Sequence, residues 1–169
     1  IGFNAIGISP VDGFLYGVRY APLQLVRVSA NTTSNVTAIG NVTGTSITSS
    51  DNAYAGCFDA NGDFYFMTED NNFYRISGIN YPAAPLTATL IGSVSPASGF
   101  FVDLAVDPTN GDLYGVAGVG ASNKNLYKVN KTNGTLTLVG TYSGSQYIAA
   151  LFFNETGTLY GYRQDGTYQ

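Results

Sequence analysis

Asp103 is the residue of this chain whose type and setting point most directly to chemistry. It interrupts an apolar run, Phe101-Val102-Asp103-Leu104, and a carboxylate in such a run needs hydrogen-bond partners or an ion. Bonding to neighbouring backbone N–H groups is its plainer expected role. A second set gathers around Glu69 and Asp70, which stand beside Asn71 and Asn72, with Asp51 able to approach from the preceding connection. Together with Tyr20, the residues Asp51, Glu69, Asp70 and Asn72 are the candidate ligand contacts, for a sugar or a weakly held Ca²⁺. A solvated polar turn is the plainer alternative there.

Other chemistry is removed by composition. The chain has no His, so imidazole-based triads and zinc sites are out. Cys57, in Ala55-Gly56-Cys57-Phe58, is the one cysteine. It forms no internal disulfide, lacks a histidine to activate it, and reads as a small buried thiol. Asp12, Asp59, Asp63, Asp107 and Asp112 recur at the same place in each of several repeats, where an Asx side chain pins a turn. Asp59-Ala60-Asn61-Gly62-Asp63 begins like a calcium loop but lacks the later ligands. The expectation is therefore no catalytic residue and no resident cofactor, with Ca²⁺ as the exception to test.

The elements that must position these residues come from a repeat. Leu15-Tyr16-Gly17 returns as Phe64-Tyr65-Phe66, Leu113-Tyr114-Gly115 and Leu159-Tyr160-Gly161, with the tyrosines 49, 49 and 46 residues apart. Fixed self-similarity of this length marks a repeat architecture. Each unit opens with an apolar segment, such as Phe3 to Ser9 or Phe101 to Asp107, and then turns through Asn, Asp and Gly. The Leu-Tyr-Gly strand follows, then a hydrophobic-basic strand: Leu25-Val26-Arg27-Val28, Phe73-Tyr74-Arg75-Ile76, Leu126-Tyr127-Lys128-Val129. A fourth strand ends in apolar-Gly, as in Ile39-Gly40. The segments are short, β-branched and aromatic, and bounded by turn formers, and no window sustains a helical period.

Four antiparallel strands per unit is the arithmetic of a β-propeller blade. The units resemble the blade repeats of extracellular propellers of the NHL, YVTN and WD40 groups, without the Trp-Asp dipeptide of WD40. That resemblance implies architecture and no particular activity. The expected fold is all-β, with blades at about 1–46, 47–95 and 96–143 and an incomplete fourth at 144–169. Three and a half blades fall short of a closed ring. The open edge is expected to be completed by further blades of a longer polypeptide or, as the alternative, by another protomer.

Charged residues make up 11% of the chain and the net charge is −4, with seven basic residues spread singly. That distribution excludes neutralising a run of phosphates, so nucleic acid is not an expected partner. The apolar runs are far too short to cross a bilayer. Neutral polar residues carry the surface, which suggests an extracellular or cell-surface protein. Asn31, Asn35, Asn41, Asn130, Asn133 and Asn154 head Asn-x-Thr sequons and are candidate glycosylation sites, although turns favour Asn and Thr in any case. These readings lead to a non-catalytic structural or adhesive domain, with other subunits or the rest of the propeller as partners. A glycan-binding module is one alternative; a fragment of a larger secreted propeller enzyme is another.

Overall fold

The structure, a computed structural model, describes residues 2–29, 36–79, 86–118, 125–144 and 147–163. Among them every regular element is a strand. Blade 1 holds β1 (Phe3–Ile8), β2 (Leu15–Arg19), β3 (Gln24–Val28) and β4 (Val36–Gly44). Blade 2 holds β5 (Ala53–Phe58), β6 (Phe64–Thr68), β7 (Asn72–Ile76) and β8 (Leu86–Ser93). Blade 3 holds β9 (Phe100–Val106), β10 (Leu113–Gly118), β11 (Asn125–Val129) and β12 (Leu136–Thr141), and the fourth begins with β13 (Ile148–Phe153) and β14 (Leu159–Arg163). Within each blade successive strands pair antiparallel. The architecture is all-β and propeller-like, with β1, β5, β9 and β13 as the inner strands.

One connection departs from simple stacking. After Asn41, β4 leaves β3 and pairs in parallel with the start of the next blade's outer strand, Val42 against Leu86 and Gly44 against Ala88. The outer edges of blades 1 and 2 are thereby joined into one eight-stranded sheet. Nothing in the periodicity announces this strap.

Each blade must bury two faces, and β6 shows how. All five of its residues are buried. Alternation along a strand sends Phe64 and Phe66 into a core shared with blade 1, while Tyr65 and Met67 enter a core shared with blade 3. Phe64 lies 4.9 Å from Phe58, and Phe66 stacks at 5.1 Å on Tyr74.

The glycine of Leu-Tyr-Gly has a steric reason. A Cβ on Gly115 would stand 2.7 Å from both Leu104 and Phe101, and one on Gly17 would stand 2.7 Å from Phe3. Blade 2 makes the reciprocal choice. Phe66 occupies the glycine position, and Ala53 takes the place that Phe3 and Phe101 fill elsewhere.

The hydrophobic-basic strand is explained too. Arg27, Arg75 and Lys128 each lie directly across from a repeat tyrosine. Each reaches a turn aspartate, Asp12, Asp63 and Asp112, at 3.6, 3.7 and 2.6 Å. These are partly exposed pairs that fix the turn and contribute little energy.

Gly115→Ala should therefore destabilise the protein by about 1–3 kcal/mol, the usual cost of overpacking a filled core. Urea unfolding measures the loss, and Phe101→Ala in the same chain should recover part of the clash energy.

Candidate functional site

Inner-strand register shows which site residues the repeat requires and which it does not. Asp103 pairs with Val116, two residues after the repeat tyrosine. At the same register β5 carries Ala55, β13 carries Ala150 and β1 carries the amide Asn4. The blade accepts a methyl group at this position, so the carboxylate is particular to blade 3.

Asp103 is partly buried. Its Oδ1 accepts the Leu104 N–H at 2.9 Å, and its Oδ2 accepts the Leu151 N–H of the next blade at 2.6 Å. The backbone bonding expected of it is present, and one of those bonds crosses between blades. Burial pushes its carboxyl up to about 7, against the opposing pull of the Leu151 and Leu104 N–H groups.

Cross-strand partners share a sheet face, so Asp103, Val116 and Leu126 form one row on blade 3. That row faces a cleft of about 310 Å³ lined by Val116, Leu126, Tyr142, Ile148, Leu151 and Leu159, among others. Asp103 stands at the inner end of the row, and the cleft's Leu151 donates to it. The result is a small apolar recess with a raised carboxyl bonded behind its Leu151 wall rather than lining it, and a carboxyl so placed is a candidate for proton transfer.

The other candidates sit on the rim formed by the β2–β3 type hairpins and the blade-to-blade connections. Four residues after the repeat tyrosine come Tyr20 in blade 1, Glu69 in blade 2 and Gly118 in blade 3. Glu69 accepts from Asn52 Nδ2 through both oxygens at 3.2 Å and from the Tyr54 hydroxyl at 3.2 Å. Tyr54 meets Tyr20 edge-on at 5.8 Å and Phe100 at 5.0 Å. Burial and the Glu69 charge raise the Tyr54 hydroxyl above its ordinary range. Three blades thus contribute to one aromatic row carrying a carboxylate.

Tyr54, Asn52 and Phe100 were not foreseen as contacts. Their signal was available, because each differs in type from its counterparts in the other repeats.

Asp51, Asp70 and Asn72 do not join this group as ligands. Asp51 is buried and turned into its own connection, accepting the Thr48 N–H at 3.0 Å and the Thr48 hydroxyl at 2.6 Å. Asn72 accepts the Ser93 hydroxyl at 2.6 Å, and Asp70 is exposed. Among the described residues no three His, Cys, Asp or Glu side chains come together to hold a metal.

The recurring aspartates are turn pins, as their repetition implied. Asp107 accepts the Thr109 hydroxyl and N–H, which hold its carboxyl below the usual range. Asp59 takes the Asn61 and Asp63 N–H groups and an ion pair from Lys131 of the next blade at 3.3 Å. Cys57 is buried, and burial lifts its thiol well above the ordinary value.

Of the sequon asparagines, Asn130, Asn133 and Asn154 use Oδ1 to cap their own turns. Asn41 lies within β4, accepting from Gln24 at 3.0 Å. Asn31 and Asn35 lie outside the described residues.

The whole chain, residues 1–169, matches a repeat family of unknown function, DUF6923, and belongs to it. No functionally curated protein matches it in sequence. Solved structures do match in fold. A gluconolactonase from Xanthomonas campestris aligns with a TM-score of 0.62 at 10% identity, over 96% of this chain and 54% of that one. A streptogramin B lyase gives 0.61 at 14%, over 99% and 53%. Regucalcin from Agrobacterium tumefaciens, described as calcium-binding, gives 0.60 at 15%, over 94% and 52%. The chain spans about half the length of these proteins.

The matches correct two expectations. The chain was read as a non-catalytic structural or adhesive domain and as no enzyme. Two of these three structures are enzymes, so the architecture is one that carries catalysis, and lack of histidine is no ground for a purely structural reading. The physical reason for the error is that the blade repeat records packing, whereas chemistry on a propeller needs only a few residues that depart from it.

Asp103 gives the fold a pH signature. The carboxyl titrates near 3.8 in the unfolded chain and about 7 in the folded one. Below the lower value both states hold the proton and no difference arises. Between the two values only the folded state holds it, so stability falls as pH rises and levels off above pH 7. The fall is bounded at about 4 kcal/mol. Asp103→Asn should remove it, seen as a flatter difference in urea midpoint between pH 4 and pH 8.

Proposed function

We propose that this chain is part of a propeller enzyme that performs general acid–base chemistry on a small cyclic ester, with Asp103 as the proton-transferring group. The observation that carries this reading is the bond to Asp103 from the N–H of Leu151, a residue that lines the apolar cleft between blades 3 and 4, at a register where blades 2 and 4 have alanine. A recess of about 310 Å³ takes a small molecule and surrounds it with apolar walls. Attack of water on a lactone carbonyl needs a base to accept the water's proton and an acid to protonate the leaving alkoxide. A single carboxyl near neutrality can serve first as one and then as the other. The gluconolactonase and the lyase on the same architecture support ester hydrolysis and elimination as the reaction classes to compare.

The reading also supposes more blades. Phe58, Val106 and Phe153 end the inner strands of blades 2 to 4 and pack in blade-to-blade contacts. Ile8 holds the same register in blade 1 and is 67% exposed. A neighbouring blade of the same ring is the surface that would cover it.

The test uses the intact protein against a panel of small lactones, read by proton release and product mass. Hydrolysis adds one water to the substrate mass, whereas elimination leaves it unchanged. Asp103→Asn should lower kcat by about 10²–10⁴ while the substrate still binds, and the wild-type profile should show a limb near pH 7. A variant as active as the wild type would sink the assignment.

A further inference from the structure

The aromatic rim has no part in proton transfer, and the blade repeat does not require it. Tyr20, Tyr54 and Phe100 come from three blades and meet in one row at 5.8 and 5.0 Å. All three are partly exposed, as is Glu69. The counterpart of Tyr54 is Val102 in blade 3 and Ala149 in blade 4, and that of Glu69 is Gly118 in blade 3. A blade built for packing alone does not need a phenol, a phenyl ring and a carboxylate here.

The polar chemistry of the row is one-sided. Among the described residues Glu69 is held by an amide and a phenol, both neutral donors, through three bonds, and a carboxylate offers about four acceptor positions. Tyr54 gives its proton to Glu69, so its oxygen keeps acceptor capacity. A fitting ligand must bring several hydrogen-bond donors on a body with an apolar face. A hydroxylated sugar ring has both, its C–H face against the aromatics and its hydroxyls toward the acceptors. A quaternary ammonium would suit the rings but would leave the acceptors unserved.

Phe100 and Asp103 flank a bulge at Val102 on β9, and their partners Gly118 and Val116 are two steps apart on β10, roughly 7 Å along the strand. We infer that Tyr20, Tyr54, Phe100 and Glu69 form a subsite for a hydroxylated sugar ring, which holds the non-reacting end of an extended substrate about one further ring away from Asp103. This rests on the cyclic-ester reading above and deepens it, because the preferred substrate becomes a lactone carrying a second sugar ring.

The experiment compares cellobiono-lactone with glucono-lactone as substrates of the intact protein. It adds direct binding of cellobionate, the ring-opened acid, by saturation-transfer NMR in the wild type, Asp103→Asn, Tyr54→Ala, Tyr54→Phe and Glu69→Gln. The two-ring lactone should show a KM about tenfold lower. Tyr54→Ala and Glu69→Gln should remove that advantage, raising the KM of the two-ring lactone to that of the one-ring lactone. Tyr54→Phe, which keeps the ring and loses the bond to Glu69, should fall between them. Saturation should be strongest on ring C–H protons and persist in Asp103→Asn.

Equal KM values for both lactones, or binding unmoved by Tyr54→Ala and Glu69→Gln, would overturn the subsite while leaving the enzyme reading intact. Cellobionate bound through Tyr54 with neither lactone hydrolysed would uphold the sugar contact and sink the catalytic reading, and with it the extended substrate. Choline bound at Tyr54 with cellobionate excluded would mark the rim as a cation site and overturn the inference.

Discussion

Each four-stranded sheet of this protein has two apolar faces, and everything else depends on covering both. The contact that does so pairs the repeat tyrosine of one blade with the last residue of the next blade's inner strand. Tyr16 meets Phe58 at 5.6 Å, and Tyr114 meets Phe153 at 5.6 Å. The middle interface has Val106 where the others have phenylalanine, and there Lys131 lies 5.7 Å over the Tyr65 ring while its ammonium reaches Asp59. Volume lost from one side chain is thus covered by the stem and charge of another. The same exchange appears within the sheets, where Gly17 and Gly115 make room for Phe3 and Phe101 but Phe66 faces Ala53. Dense packing tolerates such swaps when the summed volume is kept.

That constraint explains why so much of the fold was legible. Packing repeats because every blade solves the same problem, so Leu-Tyr-Gly, the Asx turns and the basic third strand recur at fixed spacing. Even the pairing of Arg27, Arg75 and Lys128 with turn aspartates follows from two columns of the repeat. What did not repeat was not legible. The strap from Val42 to Gly44 joins outer edges of two blades chiefly through backbone pairing, and backbone pairing between units leaves no mark in a per-unit pattern. Asp51 was expected at the rim because it could approach Glu69 and Asp70 from the preceding connection, and it is turned to Thr48 instead. Sequence proximity reports which residues share a loop, and the loop's own hydrogen bonds decide where each side chain points.

The candidate site was half legible for the same reason. Asp103 stood out as a charge within an apolar strand, and it is bonded to Leu151, which lines a cleft. Tyr54 and Phe100 did not, because aromatic residues in a strand register are expected in a core. Their meaning comes only when three inner strands are set side by side and the row is seen to cross blades while the repeat changes residue type at each step. Departure from the repeat, rather than residue type, is the signal that separates site from scaffold in a chain of this kind.

Charge distribution adds the last step. The chain has seven basic residues, and four of them, Arg27, Arg75, Lys128 and Lys131, pair with turn aspartates on the rim opposite the aromatic row. What holds Asp103 instead is two backbone N–H groups, from Leu104 and Leu151. A cation beside it would lock the carboxylate in its charged form and depress its titration far below neutrality. N–H groups orient the carboxyl and soften the cost of burial without fixing its proton. Turn aspartates are tied to cations and turn N–H groups, which is what a turn needs. Asp103 is held in position by two N–H groups while burial raises its carboxyl to about 7, the condition that the proposed acid–base role requires.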